Sequence, residues 1–259
     1  MTNLTPALPS GHFKNLLTAA TGAGLQPFVT GEHAAYFWAR YFAPQEPAIK
    51  FLLPETGKFL VLLGGTSDLA TLAQALQAPF YRVRPGGPRP VLGVIPLTAS
   101  NGSQLQVEFI QRLPGVTPQE IQRGAAELTS EELGVTMRLP APFTCLKVEC
   151  LEMMARLGDT AQDLNRLSTL VLCNRALLRE GVKAAESEII AERKLVVAME
   201  TIFAFTQSKP ARHAAEKHKV DWLQLFPVVE LMKTTRARVR KFFQKRLQAT
   251  FPSCPRVPS

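Results

Sequence analysis

The sequence contains few of the residues that build metal centres or disulfide frameworks. Its 259 residues include only four cysteines and four histidines. The cysteines form no C-x-x-C pair and have no partner histidines at zinc spacing. The two nearest histidines, His213 and His218, are five residues apart, which corresponds to about 140° around a helix. We therefore expect neither a structural metal nor a disulfide framework.

The sequence also lacks long apolar runs. No run approaches the roughly 20 residues that a helix needs to span a membrane. The first ten residues have neither the basic region nor the apolar stretch of a signal peptide. Hydrophobic residues nevertheless make up 46% of the chain and charged residues only 20%, so a sizeable core is expected. These features favour a cytoplasmic protein with no membrane span.

Acidic residues are scarce toward the end of the chain. Between Lys209 and Ser259 there are twelve lysines and arginines against three acids, while residues 1–208 are balanced. The formal net charge of +9 therefore lies entirely in this tail. Such an asymmetry is typical of a segment that faces a polyanion.

Local patterns predict a mixed sheet in the first half of the chain. The apolar run Phe59-Leu60-Val61-Leu62-Leu63, closed by Gly64-Gly65, reads as a buried strand. Asn101-Gly102 separates two β-patterned runs and predicts a hairpin. Three further strands are predicted at Phe80–Arg84, Val91–Leu97 and Gln104–Ile110.

Helices are predicted on both sides of these strands. Ser67 looks like the N-cap of a helix through Gln77, and Thr117-Pro118-Gln119-Glu120 has the pattern of a capping box. Beyond Pro140 we predict only helices. The predicted fold class is therefore α+β, with a small mixed sheet flanked by helices in residues 1–140 and a helical region in residues 141–259. Earlier helices are predicted at Phe13–Ala23 and Thr30–Phe42.

This order of elements resembles the minimal nucleotidyltransferase fold, in particular the AbiEii-type proteins known as toxins of bacterial toxin–antitoxin systems. The resemblance covers roughly Pro27 to Leu178, and no single segment is specific to the family. Four segments carry it: Thr30-Gly31-Glu32-His33-Ala34, Thr56-Gly57-Lys58-Phe59-Leu60-Val61, Gln106-Val107-Glu108-Phe109 and Pro142 to Leu167.

The resemblance implies where a nucleotidyl-transfer site would lie. Nucleotidyl transfer uses two divalent ions about 3.5–4 Å apart. The family holds them on an Asp-x-Asp strand and a third acid, but here Phe59 and Val61 stand at the Asp positions and only Glu108 remains. Glu32 also replaces a glycine beside the expected triphosphate. The other residues to which the resemblance gives a role are Lys58 and Asp163 in catalysis and Gly31 and Lys147 in nucleotide binding.

Each of these residues also has a plainer interpretation. Phe59 and Val61 fit an ordinary core strand, and Glu108 fits a solvent-facing strand position. Lys147 fits the solvated side of a helix. Asp163 follows Thr160 by three residues, which is the spacing of a capping box and is our preferred interpretation.

The basic tail has the pattern of one amphipathic helix from Val228 to Leu247. Its apolar residues recur at intervals of three and four. Such a helix suits RNA or DNA phosphates, an anionic membrane surface, or simply solvent on its basic side. The basic residues are Lys233, Arg236, Arg238, Arg240, Lys241, Lys245 and Arg246.

Three functions follow as hypotheses. The first is a catalytically degenerate nucleotidyltransferase-like protein that binds RNA or a protein partner and needs no cofactor. The second is an active enzyme that uses NTP and magnesium on tRNA or a protein, with acids supplied by residues such as Asp68 and Glu108. The third is an interaction module unrelated to nucleotides.

Overall fold

The computed structural model describes residues 10–52, 59–84, 90–98, 104–130, 134–156, 158 and 160–256. The fold is α+β, as expected, with one seven-stranded mixed sheet flanked by helices and a helical C-terminal region. The strands are β1 Phe28–Thr30, β2 Phe59–Leu63, β3 Tyr81–Arg82, β4 Val91–Thr98, β5 Gln104–Ile110, β6 Ala125–Ser130 and β7 Val135–Pro140. The α-helices are α1 Ser10–Gly22, α2 Gly31–Phe42, α3 Thr66–Ala75, α4 Pro118–Gly124, α5 Pro142–Ala155, α6 Ala161–Glu186, α7 Glu192–Thr206, α8 Lys209–His218, α9 Val228–Lys233, α10 Ala237–Phe242 and α11 Gln248–Thr250. Short 3-10 helices span Pro47–Phe51 and Trp222–Leu225, and a π-helical turn spans Phe243–Leu247.

The strand order is β3-β4-β5-β2-β1-β7-β6. The central strand β2 runs parallel to β5 and antiparallel to β1. Strands β4 and β5 pair antiparallel as the hairpin pattern predicted, although Asn101-Gly102 lies outside the described residues. The helix predicted with Ser67 at its N-cap begins two residues earlier, with Gly65 at the N-cap. The Gly65 amide donates to Asp68 Oδ2 over 2.7 Å.

Two strands were missed by the sequence patterns. The segment after Glu120 continues as β6 and β7, which pair antiparallel from Ala125 opposite Pro140 to Ser130 opposite Val135. Ala-Ala-Glu-Leu at the start of β6 is a good helix former on local propensity. The ladder to β7 overrides that preference, because strand formation depends on cross-strand partners more than on intrinsic propensity.

The two faces of the sheet are covered differently. One face carries buried Leu60, Leu62, Val107 and Phe109, which suits strands packed beneath helices. Helix α3 lies against this face at Gly93, where an added Cβ would be only 2.5 Å from Leu69 Cδ2.

The opposite face includes a second, smaller buried cluster. There Ile110, Leu113 and Val116 form a buried cluster. Partly buried Val61, Leu63, Val91, Ile121 and Val148 pack against it.

The chain divides into two compact units. The first comprises Met1–Phe37 and Leu53–Val148 and contains the whole sheet. The second comprises Trp38–Leu52 and Glu149–Ser259 and is helical. Within the second unit, the long helix α6 contacts α7, α9 and both 3-10 helices, and α7 contacts α8 and α10. None of the described helices is both long and apolar enough to cross a membrane.

The prediction of one continuous helix from Val228 to Leu247 was wrong. The helix breaks after Lys233, because the Glu186 carboxylate accepts hydrogen bonds from the hydroxyls of Thr234 and Thr235 and from the Thr235 amide. Thr234 is held at φ −60° and ψ 137°, which is extended backbone. The chain then restarts as α10, whose first free amides at Arg238 and Val239 donate to the Glu192 carboxylate.

Candidate functional site

The strand register places two residues of the predicted site, Val61 and Glu108, in one row across the sheet with Thr30. Thr30 on β1 pairs with Val61 on β2, and Val61 pairs with Glu108 on β5. Directly paired residues on neighbouring strands project from the same face of a sheet. Val61 on β2 therefore lies directly beside Glu108 on β5. Phe59 pairs with Gln106 two positions earlier in the same ladder.

Gly31 closes one end of this row. It follows β1 directly, begins α2 and has a φ of +67°, a conformation that favours glycine. A Cβ added at Gly31 would lie 3.6 Å from Val61 Cγ2, so the start of α2 is in close contact with β2. The structure thus brings together Gly31, Val61 and Glu108. Glu32, the next residue, contributes an acid to the first turn of α2.

Glu108 is the acid in this row. Its side chain is half-buried and makes no hydrogen bond or ion pair within the described part of the chain. Val61 offers only hydrocarbon, and magnesium prefers oxygen ligands. Across the described ranges, no group of three His, Cys, Asp or Glu side chains is placed to hold a metal ion. A single carboxylate can accept a proton or attract a cation, but it supplies only two of the oxygen ligands that a pair of magnesium ions needs.

Lys147 on α5 is engaged with an acid on α4. Its Nζ donates to Glu120 Oε1 over 2.9 Å. Glu120 also accepts from the Thr117 amide over 2.8 Å, completing the predicted capping box at the start of α4. This backbone hydrogen bond, followed by the one from Lys147, lowers the pKa of Glu120 to about 2. The Lys147 ammonium therefore has a structural partner. Lys58, the other predicted lysine, lies outside the described residues.

Asp163 occupies the capping box that its spacing predicted. Its Oδ2 accepts from the Thr160 amide over 2.8 Å, and the Asp163 amide donates back to the Thr160 hydroxyl. The carboxylate also pairs with Arg156 and Arg166. Burial raises the pKa of Asp163, but the Thr160 hydrogen bonds and the two arginines outweigh it and bring the pKa to about 2. The capping interpretation of Asp163 is confirmed.

A buried ion cluster around Asp163 was not predicted. Arg166 donates through Nε and Nη2 to the two oxygens of Glu149, over 2.6 and 2.9 Å. Burial raises the pKa of Glu149 despite this pairing. Two pairs of the cluster have the local spacing of helical ion pairs, Glu152–Arg156 at i,i+4 and Asp163–Arg166 at i,i+3. The pairing of Glu149 with Arg166 joins two helices and leaves no local signal.

The seven basic residues of the segment Val228–Leu247 fall into two groups. Arg236, Arg240 and Arg246 have partners in the second unit. Arg236 pairs with Glu186 and Glu188, and both Nε and Nη2 of Arg240 donate to the Thr234 carbonyl. Arg246 pairs with Glu200 over 3.1 Å, and its guanidinium lies 5.8 Å from the centre of the Phe203 ring.

The second group is free. Its side chains are exposed and make no ion pair or hydrogen bond with any described residue. Its members are Lys233, Arg238, Lys241 and Lys245. Sequence spacing alone did not separate these four residues from the three arginines with partners.

Comparisons with known proteins found distant structural similarity alone. No protein-family model matches the chain, and no curated protein matches it. The crystal structure of JHP933 from Helicobacter pylori covers 94% of this chain and 97% of its own, with a TM-score of 0.38 and 13% identity. The crystal structure of an antigenic nucleotidyltransferase-like protein from Paracoccidioides brasiliensis covers 56% of this chain and 78% of its own, with a TM-score of 0.32 and 15% identity.

Proposed function

We propose that this chain is a nucleotidyltransferase-like protein, of the kind that AbiEii-type proteins represent, that no longer transfers nucleotides and instead binds RNA. The observation that carries the proposal is the pairing of Val61 with Glu108 in the row that begins at Gly31. This row has the glycine, the strands and one acid of a nucleotidyltransferase site, with hydrocarbon where the family places an aspartate.

The chemistry of transfer explains why this substitution matters. Two carboxylates at positions i and i+2 of a strand project from one face roughly 6.6 Å apart, which suits a pair of ions. Here the residues at those positions are Phe59 and Val61. Glu32 beside Gly31 adds negative charge where the helix N-terminus would otherwise attract phosphate. Both changes weaken binding of a magnesium–triphosphate complex.

The proposed partner follows from the distribution of charge. The tail holds all of the net charge, and four of its cations are exposed and free among the described residues. Cations without local partners suit a phosphate backbone, because each contact releases a condensed counterion. RNA is the polyanion that also agrees with the nucleotidyltransferase resemblance.

A transfer assay tests the loss of activity. Purified protein is incubated with magnesium or manganese and each labelled NTP, with tRNA or with the protein itself as acceptor. We expect no label above the level of a protein-free blank.

The Glu108→Gln variant is the matched control, since it removes the charge of the row while keeping the size of the side chain. Label transferred by the parent and lost in Glu108→Gln would contradict the proposal and support an active enzyme.

A further inference from the structure

The exposed side of α10 and the π-helical turn after it carries three free cations. Arg238, Lys241 and Lys245 are exposed and have no partner among the described residues. We call these three residues the basic surface. They are spaced by three and four residues, which places them on one side of the segment over roughly 10 Å of its axis.

The opposite side of the same segment is anchored in the second unit. Val239, Phe242, Phe243 and Leu247 are each at most 3% exposed. Glu192 fixes the start of α10 by accepting from two of its amides. The basic surface is therefore held in place by burial and capping, and its three cations keep their spacing.

The surroundings of the basic surface leave its charge uncompensated. No acid occurs in the sequence between Leu231 and Arg256. Of the two acids of α7 that contact this segment, Glu200 pairs with Arg246, while Glu192 accepts from the α10 amides and makes no ion pair with the three cations. The positive field of the basic surface is thus available to an external anion.

The burial of the apolar side chains argues against insertion into a membrane and against binding of single-stranded nucleic acid. An interfacial membrane helix must insert its apolar face into lipid, but here that face packs inside the protein. Binding of single strands relies on aromatic side chains that stack on bases, but Phe242 and Phe243 are buried. A surface with cations and no exposed aromatics suits the phosphates of a duplex, which are read by charge and shape.

We propose that the basic surface binds the phosphate backbone of base-paired RNA, largely without regard to sequence. This inference rests on the proposed RNA-binding function and names the surface and the form of RNA. The three arginines Arg236, Arg240 and Arg246 position the tail through their internal partners and do not contact the RNA.

The test measures affinity for a short RNA duplex of mixed sequence as a function of salt. The test variant replaces Arg238, Lys241 and Lys245 with Gln. The control variant replaces Lys209, Arg212 and Lys219 with Gln; these are equally exposed cations on α8 or directly after it. Both variants lose three charges, so their comparison separates a local surface from net charge. Circular dichroism checks that both remain folded.

Each phosphate contact contributes about 0.9 to the slope of log affinity against log salt on B-form DNA, and we expect a similar value on an RNA duplex. We expect the test variant to lose roughly two to three units of slope, and the control variant to lose less than one. Three contacts correspond to a roughly 40-fold change in affinity between 50 and 200 mM salt. The parent should also bind the duplex more tightly than a single strand of the same length or vesicles of anionic lipid.

The outcomes separate this inference from the proposed function. If the parent binds the duplex but the test variant binds equally well, or both variants lose the same slope, the basic surface is not the site and RNA binding stands. Tighter binding to the single strand or to the vesicles overturns the assignment to base-paired RNA. If the parent binds no RNA at low salt, both the surface and the RNA-binding function are wrong.

Discussion

His33 makes stability depend on pH in a specific window. It lies in the first turns of α2 and is 1% exposed, and neither ring nitrogen has a hydrogen-bond partner in the described structure. Its ring stacks on Phe13, with centroids 5.4 Å apart and planes 3° from parallel. Burial in these apolar surroundings lowers the pKa of His33 to about 4.

The direction of the effect depends on which state, folded or unfolded, takes up a proton at His33 first as the pH falls. In the unfolded chain the imidazole has a pKa of about 6.5, so it takes up a proton as the pH falls below that value. The folded state resists protonation until about pH 4. The free energy of unfolding therefore declines as the pH falls from about 6.5 to about 4 and levels off below that. The loss reaches about 2 kcal/mol at pH 5 and about 3 kcal/mol in full.

Urea unfolding of the parent and of His33→Phe at pH 7 and pH 5 measures this effect. Phenylalanine keeps the stack on Phe13 and cannot take up a proton. Between pH 7 and pH 5, the free energy of unfolding of the variant should therefore fall by about 2 kcal/mol less than that of the parent. His213→Gln, at a half-buried position of α8, controls for removal of a histidine in general. The carboxylates of Glu120 and Asp163, with pKa values of about 2, lose their stabilisation only below about pH 4. An identical pH dependence in the parent and in His33→Phe would refute the reasoning.

Two further predictions concern packing and buried charge. Arg166→Met leaves the buried Glu149 carboxylate without its two hydrogen bonds and should lower the free energy of unfolding by about 3–5 kcal/mol, whereas adding Glu149→Leu should restore part of it. Urea unfolding of the single and double variants measures both values, and full additivity would contradict the coupling. Gly93→Ala would place a Cβ 2.5 Å from Leu69 Cδ2 and 2.7 Å from the Tyr81 carbonyl, so we expect a loss of about 1–3 kcal/mol. A thermal midpoint equal to that of the parent would show that α3 can shift to accommodate the methyl group.

The elements that the sequence predicted correctly have local signals. Strand β2 is an apolar run closed by glycines, and the helices at Thr117 and Thr160 have capping boxes within four residues. Strand β7 alternates apolar and polar residues from Val135 to Leu139, a strand pattern that was overlooked, whereas β6 begins with good helix formers and depends on its ladder to β7. Strand β7 also pairs with β1, at Phe28 opposite Arg138. A partner more than a hundred residues away cannot be read from the pattern of one segment.

Long-range contacts also explain why the structure of the tail could not be predicted from the sequence. Its composition predicted a basic, amphipathic segment, and the buried side of α10 agrees with that pattern. The break at Thr234 depends on Glu186, which is 48 residues earlier in the chain. The division of the cations into bound and free also depends on α6 and α7, since Glu186 and Glu200 lie on those helices. Acidic residues that are distant in the sequence thus determine both the helix break at Thr234 and which cations have partners, and sequence spacing could predict neither.

At the candidate site, the strand register shows how the residue at position 61 affects Glu108 and Gly31. Val61 and Glu108 are directly paired on strands that lie about 5 Å apart. An aspartate at position 61 would put a second carboxylate at that distance, and like charges so close raise the pKa of one group unless a cation lies between them. Valine removes this repulsion, and its Cγ2 would lie 3.6 Å from a Cβ added at Gly31. The row thus contains a single carboxylate, that of Glu108, beside the hydrocarbon side chain of Val61, and the proposed loss of transfer activity depends on this pairing.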